Sequence, residues 1–228
     1  MNLHEIINEE IGSLLSETKE WYHGTPDVRG INNSGSFVPK TNTTRYIADF
    51  DKWSELQNEL KQTRETNKER YFQILDELTS CFEDIKYNKP IFFTDSYSVA
   101  RTYATDKQAF DYQKSIPKIL SVSIDETGAN ILKIPAYGLR FRKIEIPIVK
   151  TALSNAGISD EEIQNKLNMF YDSIRGAGNL LSTDDLGVIA QLLGFDIVDV
   201  VGVLDSYHGG STKSTVRMVF DTKRIKIN

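Results

Sequence analysis

Cysteine is nearly absent from the sequence, since Cys81 is the single one among 228 residues. One thiol excludes a disulfide within the chain and leaves no cysteine cluster for structural zinc. Long apolar runs are missing as well, because no stretch approaches the roughly 18 residues that a membrane-spanning helix needs. These absences predict a protein without a metal site or a membrane partner, in a reducing cytoplasm.

Basic residues are in deficit, with 27 lysines and arginines against 32 aspartates and glutamates and a net charge of −5. The whole chain is therefore not a polycation of the kind that binds nucleic acid. Residues 211–228 are locally basic. We interpret their lysines as protection of a strand edge, with a binding patch as the alternative. Glutamates in the first twenty residues argue against a secretory signal.

The length and the ordinary composition fit one domain, which we predict to span residues 1–228. Apolar residues spaced by three and four predict an N-terminal helix within residues 1–20, which packs on the domain or docks on a partner. Residues 51–86 show a helical pattern with a polar centre from Lys61 to Arg70. We interpret them as an inserted helix or helical pair with a solvated centre, and a partner surface is the alternative.

Strand patterns occupy much of the remaining chain. Alternating or Val-rich runs predict strands at 118–124, 130–134, Phe195–Leu204, 215–220 and 223–227. Residues 147–193 are mostly helical in pattern, and Ser159 opens one of these helices. The mixture predicts an α+β fold.

The strongest functional signal begins at Trp21–Thr25, an aromatic strand that ends in His23-Gly24-Thr25 ahead of a proline. A glycine at the end of a strand lets a ligand approach the backbone, so His23 and Gly24 are candidate site residues. In the alternative interpretation, His23 only binds a neighbouring carbonyl. A later His-Gly pair at His208 lacks the strand context and ranks lower.

Two further segments strengthen this signal. Pro90–Ser96 is typical of a strand that runs into a helix, with Thr94 or Asp95 as the cap, and Ala100 and Tyr103 share one face of that helix. The last segment is Thr215–Asp221, a strand near the end of the chain.

Taken together, the three segments resemble the ADP-ribosyltransferase superfamily, in its diphtheria-toxin/poly-ADP-ribose-polymerase branch. Within that branch they are most similar to domains of phage and mobile-element proteins. The resemblance implies a split, mostly antiparallel β-sandwich with surrounding helices, in which residues 51–86 are a helical insertion. It also implies an enzyme that uses NAD as a substrate and modifies a protein of the host, in the host cytoplasm.

The resemblance assigns roles to residues of the first two segments. His23 matches the histidine that holds the adenosine-side ribose hydroxyl. The backbone of Gly24 matches the hydrogen-bonding group for the nicotinamide amide, with Thr25 beside it in the NAD-binding segment. Phe92 and Tyr103 match the aromatic pair that sandwiches nicotinamide, so His23 and Tyr103 are implied to be catalytic. Ala100 stands where a small serine often binds the amide.

The third segment departs from the family, because Val216 stands at the position of the catalytic glutamate. Valine cannot stabilise the cationic sugar as nicotinamide leaves. Three outcomes follow: single transfer assisted by a carboxylate of the acceptor, substitution by Asp205 or Asp221, or loss of catalysis with retention of a binding or structural role.

A second alternative is the RNA 2′-phosphotransferase, which shares the fold and the early histidine and has an aliphatic residue at the place of the glutamate. Its phosphate requires basic residues, for which Arg29, Arg101, Arg140 and Arg142 are candidates by type. The acidic net charge argues against an RNA substrate.

Overall fold

The computed structural model describes residues 20–25, 31, 35–105, 118–136, 138–139, 141–171, 180–204 and 213–228. The predicted N-terminal helix within 1–20 therefore lies almost entirely outside the described residues, as do Arg29, Arg140, Asp205 and His208. Within the described part, the chain is an α+β protein with a mostly antiparallel sheet and six α-helices.

The helices are α1 (Phe50–Thr63), α2 (Lys68–Thr79), α3 (Tyr97–Ala104), α4 (Ile146–Asn155), α5 (Asp160–Met169) and α6 (Thr183–Leu192). Helix starts follow side-chain caps. Ser159 Oγ accepts from Glu162 N at the start of α5, and Ser182 forms a capping box with Asp185 at the start of α6. The cap of α3 is Ser96, so the prediction of Thr94 or Asp95 as the cap is wrong. Thr94 instead ends the preceding strand, and its Oγ accepts from Ser96 N.

The strands are β1 (Trp21–Thr25), β2 (Thr41–Ile47), β3 (Phe82–Asn88), β4 (Ile91–Thr94), β5 (Lys118–Ile124), β6 (Ile131–Pro135), β7 (Phe141–Arg142), β8 (Leu180–Leu181), β9 (Ile197–Leu204), β10 (Lys213–Val219) and β11 (Ile225–Ile227). These bounds confirm the predicted strands in the second half of the chain, apart from Phe195 and Asp196, which precede β9, and Lys223 and Arg224, which belong to the 3₁₀ turn Thr222–Arg224. That turn is closed by Asp221, whose side chain accepts from Lys223 N.

Seven strands form one sheet in the order β11-β5-β1-β4-β10-β9-β6, and β6 with β9 is its parallel pair. β1 pairs with β5 at five positions, and β4 pairs with β10 at four. β1 and β4, by contrast, pair at one position, Tyr22 with Thr94. This is the shortest ladder among the described strands of the sheet, and we call the strands on its two sides, β11-β5-β1 and β4-β10-β9-β6, the two half-sheets, which are joined at this position.

Apolar side chains on the two faces of the sheet form two cores. The inner core joins residues from both half-sheets, including Trp21, Phe93, Val122, Val219 and Ile225. Strands of both half-sheets therefore contribute to this core, including β11 at one end of the sheet. The outer core lies between the other face and the helices α4, α5 and α6.

Residues 51–86 are only partly helical, since Phe82–Asn88 form β3, which pairs with β2 in a separate two-stranded ribbon. The prediction of helix over 82–86 is therefore wrong: a short apolar run fits either period, and the pairing with β2 decides it. The helical pair α1 and α2 is confirmed. Arg70 joins the two helices, with Nε 2.7 Å from Glu59 Oε1 and Nη1 2.6 Å from Glu77 Oε1.

None of the helices in the described ranges is long and apolar enough to cross a membrane.

Candidate functional site

The structure places the three motif segments on three neighbouring strands. β1 carries His23 and Gly24, β4 carries Phe92, and β10 carries Val216. The order β1-β4-β10 holds although about seventy residues separate the first two segments and about one hundred and twenty the last two. The point where the half-sheets join, Tyr22–Thr94–Val216, lies at the centre of the group.

His23 joins β1 to β4 through its side chain, beyond the one position at which the two strands pair. Its Nδ1 lies 2.8 Å from the carbonyl oxygen of Phe92, which accepts the hydrogen bond. The ring packs edge-on against Phe37 and at a tilt against Phe93, on the inner face of the sheet. The bond to Phe92 assigns the proton of the neutral ring to Nδ1 and leaves a lone pair on Nε2. A carbonyl partner for His23 agrees with the alternative interpretation made from the sequence, and it also prepares Nε2 to accept from a ligand hydroxyl.

Burial lowers the pKa of His23 below its ordinary value of 6.5, and the bond to Phe92 only partly opposes this effect. The unfolded chain therefore binds a proton more readily than the folded chain. Stability contributed by neutral His23 is complete above about pH 6.5 and is lost as the pH falls toward the folded-state pKa.

We expect His23→Asn to weaken the pH dependence of thermal unfolding between about pH 5 and 7. An unchanged slope would show that other groups cause it.

Gly24 is packed against a helix. A Cβ atom at this position would lie 1.8 Å from the carbonyl oxygen of Ala100 and 3.0 Å from Ala104 N. The backbone of α3 therefore crosses β1 at closest approach over Gly24. The glycine allows this helix packing, which the sequence pattern alone did not distinguish from close approach of a ligand.

The other predicted contacts of α3 differ in exposure. Ala100 is fully buried under the helix, whereas Tyr103 is 43% exposed. Phe92 is partly buried against the outer core, on the opposite face of the sheet from the ring of His23. The ring of His23 is thus bonded to the backbone of Phe92, while the two side chains lie on opposite faces of the sheet.

A pair of tyrosines that the sequence analysis missed lies at the start of α3. The rings of Tyr22 and Tyr97 meet edge-on with centroids 5.5 Å apart, and Tyr97 is exposed. Tyr22 Oη donates to Glu20 Oε2 at 2.8 Å, and this bond raises the pKa of Tyr22. The alternating pattern of β1 places Tyr22 on the outer face beside Thr94, so this pair borders the joint of the half-sheets.

Val216 is buried in the outer core, and its cross-strand partners are Thr94 and Val200. Neither partner carries a charge. Of the two predicted substitutes for the glutamate, Asp205 is outside the described residues. Asp221 caps the 3₁₀ turn at the other end of β10, five residues along the chain from Val216. Asp95, which the sequence analysis considered only as a cap, is the carboxylate next to the Val216–Thr94 pair.

Arg217 is buried on the inner face of the sheet, next to Val216 in the sequence, and makes a bidentate ion pair with Asp199. Nε lies 2.6 Å from Oδ1 and Nη2 lies 2.7 Å from Oδ2. Arg217 also contacts Glu126, and its guanidinium lies 4.1 Å from the centre of the Trp21 ring. Burial opposes the charge of Arg217, but the bonds to both carboxylates outweigh it, so the pKa of Arg217 is raised. This network was also missed, because nothing in local sequence pairs residues so far apart.

The described residues contain no group of three or more His, Cys, Asp or Glu side chains that could hold a metal ion. Comparisons of the chain with protein-family models, with curated proteins and with solved structures found no match.

Proposed function

We propose that this chain is an NAD-dependent mono-ADP-ribosyltransferase that modifies a protein acceptor. The observation that carries the proposal is the meeting of the three motif strands at Tyr22, Thr94 and Val216, with the side chain of His23 bonded to β4 beside this point. In the family that the three segments resemble, NAD lies in a cleft between two half-sheets. The arrangement of β1, β4 and β10 around one joint supports the finer assignment of the split ADP-ribosyltransferase sandwich.

NAD is the substrate in this proposal. His23 would accept from a ribose hydroxyl through Nε2, and Gly24 would bind the nicotinamide amide through its backbone. Phe92 and Tyr103 would contact the nicotinamide ring. The exposed face of Tyr103 favours this role, since a tyrosine that served only the core would be buried.

The absence of a glutamate at Val216 favours transfer of a single ADP-ribose over chain elongation. Elongation needs a base that activates the next ribose hydroxyl, and Val216 supplies neither base nor charge. In a single transfer, an acceptor carboxylate can provide the negative charge beside the sugar. We therefore place a carboxylate-bearing protein segment as the acceptor.

The second candidate is a non-catalytic interaction module, and the burial of Val216 in an apolar core favours it. In this case the cleft would keep its binding role while the helical pair α1–α2 contacts a partner. Phe72 on α2 is 63% exposed, as expected for such a surface. For the RNA 2′-phosphotransferase alternative, the structure describes two of the four candidate arginines: Arg142 lies on β7, outside the sheet that holds His23, and Arg101 lies on α3, which packs over Gly24. The acidic net charge is the observation that argues against this alternative.

Isothermal titration calorimetry with NAD tests the shared part of both candidates. We expect the wild type to bind NAD and His23→Asn to bind it about 1–3 kcal/mol more weakly, which corresponds to one lost buried hydrogen bond. Asparagine can keep a donor for the Phe92 carbonyl while removing Nε2, so the β1–β4 contact is preserved. Absence of NAD binding by the wild type, or equal binding by the folded variant, would contradict the proposed role of His23.

A further inference from the structure

A cavity of about 270 Å³ lies where the helical pair α1–α2 meets the ribbon of β2 and β3, and it opens to solvent. The described residues that line it belong to none of the elements that carry the candidate NAD site, which are β1, β4, β10 and α3. Most of the lining is apolar, with one cation and one amide, and consists of Trp53, Leu75, Leu78, Phe82, Arg45 and Gln57. A group that is apolar at one end and polar at the other matches this lining.

Exposed apolar side chains extend from the cavity along α2. Phe72 is 63% exposed and Leu75 is 39% exposed, and their spacing of three places both on one side of the helix. Ile74 and Leu78, on the adjoining side, are buried in the core with α1, so core packing does not require Phe72 or Leu75 to be apolar. A single exposed apolar residue is ordinary, but an exposed stripe that continues into an apolar cavity is typical of a protein contact surface.

Arg45 places a positive charge at the edge of this apolar surface. Its guanidinium carbon lies 5.2 Å from the centre of the Phe82 ring, and Nη2 donates to the carbonyl oxygen of Thr79 at 3.4 Å. Within the described residues Arg45 makes no ion pair, although Asp84 is its cross-strand partner. A guanidinium has five N–H donors in a fork that fits a carboxylate, so most donors of Arg45 are available to a ligand.

The size and surroundings of the cavity favour a polypeptide over a small molecule. Small-molecule cavities usually hold roughly 300–1,000 Å³, and the present one is smaller and open. A small ligand would also leave the exposed stripe of α2 uncovered. Gln57 adds a side-chain amide with no hydrogen-bond partner in the described part of the chain. Such an amide can both donate to and accept from a peptide backbone.

We propose that this cavity and the adjoining stripe dock a segment of another protein that presents a large apolar side chain beside an aspartate or glutamate. The apolar side chain fills the cavity against Trp53 and Leu75, and the carboxylate bonds to Arg45. The charge of Arg45 selects an acidic segment, since a lysine or arginine at this place would be repelled. The proposal goes beyond the proposed function and does not depend on it, so failure of NAD binding would leave it intact.

Selection of short random peptides displayed on phage, with the full-length protein immobilised, identifies the preferred segment. We expect the enriched peptides to share a large apolar residue beside an aspartate or glutamate. Enrichment of no peptide, or of peptides without an acidic residue, would overturn the proposal.

Fluorescence anisotropy with an enriched, labelled peptide then locates its binding site. We expect Arg45→Gln and Leu75→Ala each to weaken binding about tenfold, through loss of a charge-assisted hydrogen bond and of apolar contact. Both variants should stay folded, because Arg45 is exposed and alanine favours a helix. The matched control is Arg64→Gln, an exposed arginine at the end of α1 that does not line the cavity, and it should bind as the wild type does. Equal binding by wild type and folded Arg45→Gln would overturn the proposal.

A double-mutant cycle tests whether Arg45 contacts the carboxylate of the peptide. Replacing the acidic residue of the peptide by its amide should weaken binding to wild type about tenfold and change binding to Arg45→Gln little. Asp84→Asn should have the opposite effect and strengthen binding about two- to fivefold, because it removes a carboxylate that lies across from Arg45. Additive losses in the cycle, or weaker binding by Asp84→Asn, would contradict the contact.

Two other occupants of the surface would overturn the proposal, and each has its own signature. A wild-type dimer in sedimentation analysis that Leu75→Ala dissociates would assign the surface to a second copy of the chain. Displacement of the selected peptide by a synthetic copy of residues 1–19 would assign it to that acidic segment of this chain. Monomeric wild type and no displacement are the results that we expect.

Discussion

Gly24→Ala is expected to lower the stability of the protein by about 3 kcal/mol or more, near or above the usual range for overpacking. The new Cβ atom would lie 1.8 Å from the carbonyl oxygen of Ala100. That oxygen belongs to the backbone of α3, and the backbone of β1 fixes the position of the Cβ atom. Relief requires α3 to move away from β1, since no flexible side chain can yield. At roughly 2–4 °C per kcal/mol, the melting temperature should fall by about 6–12 °C.

Gly138→Ala is the matched control, because a Cβ atom at Gly138 would meet no heavy atom of the described residues within 4 Å. It should change stability by no more than about 0.5 kcal/mol. Chemical denaturation of both variants measures the difference. Equal stability of Gly24→Ala and Gly138→Ala would show that α3 does not pack closely on β1. It would then contradict the position of Tyr103, which α3 carries, beside His23 and Gly24.

Arg217→Met is expected to cost about 3–5 kcal/mol, because it leaves the carboxylate of Asp199 buried and unpaired. The pair is deeply buried, with the side chains of Arg217 and Asp199 4% and 6% exposed. The variant also removes the cation–π contact with Trp21, the first residue of β1. Since Trp21 precedes His23 on the same strand and face, the loss should also weaken the packing around His23.

Two comparisons test whether burial of the unpaired charge causes this loss of stability. The double variant Arg217→Met with Asp199→Leu removes both charges and should recover most of the lost stability. Arg70→Met removes an arginine with a similar bidentate contact to Glu59, but the Arg70 side chain is 31% exposed, so its loss should cost several-fold less stability than that of Arg217. Similar losses for Arg70→Met and Arg217→Met, or no recovery in the double variant, would contradict this explanation.

The strands and most helices were predictable because their signals are local. The alternation at 118–124 and the Val-rich run before Leu204 each predict a strand, and the structure confirms both as β5 and β9. At Phe82–Asn88 the local pattern failed, because pairing with β2 outweighs a helical spacing that is equally compatible with the residues.

The candidate site was less predictable, for reasons that depend on distance along the chain. The order of the three segments along the chain does not predict their register in the sheet, which places Thr94 between Tyr22 and Val216. The packing of Ala100 on Gly24 joins residues that are far apart in the sequence, and Arg217 and Asp199 become neighbours only through the register of β10 and β9.

Transfer of radiolabel from NAD, labelled in its adenylate phosphate, to proteins of a cell lysate tests the central claim most directly. Wild type, His23→Asn and a heat-unfolded sample are compared, with proteins separated by denaturing electrophoresis. The account predicts a labelled band with wild type, a much weaker band with folded His23→Asn, and a single unit of ADP-ribose on mass analysis of the product. NAD binding without any labelled protein would contradict the transferase and favour the non-catalytic module, and a ladder of polymer would contradict the argument from Val216.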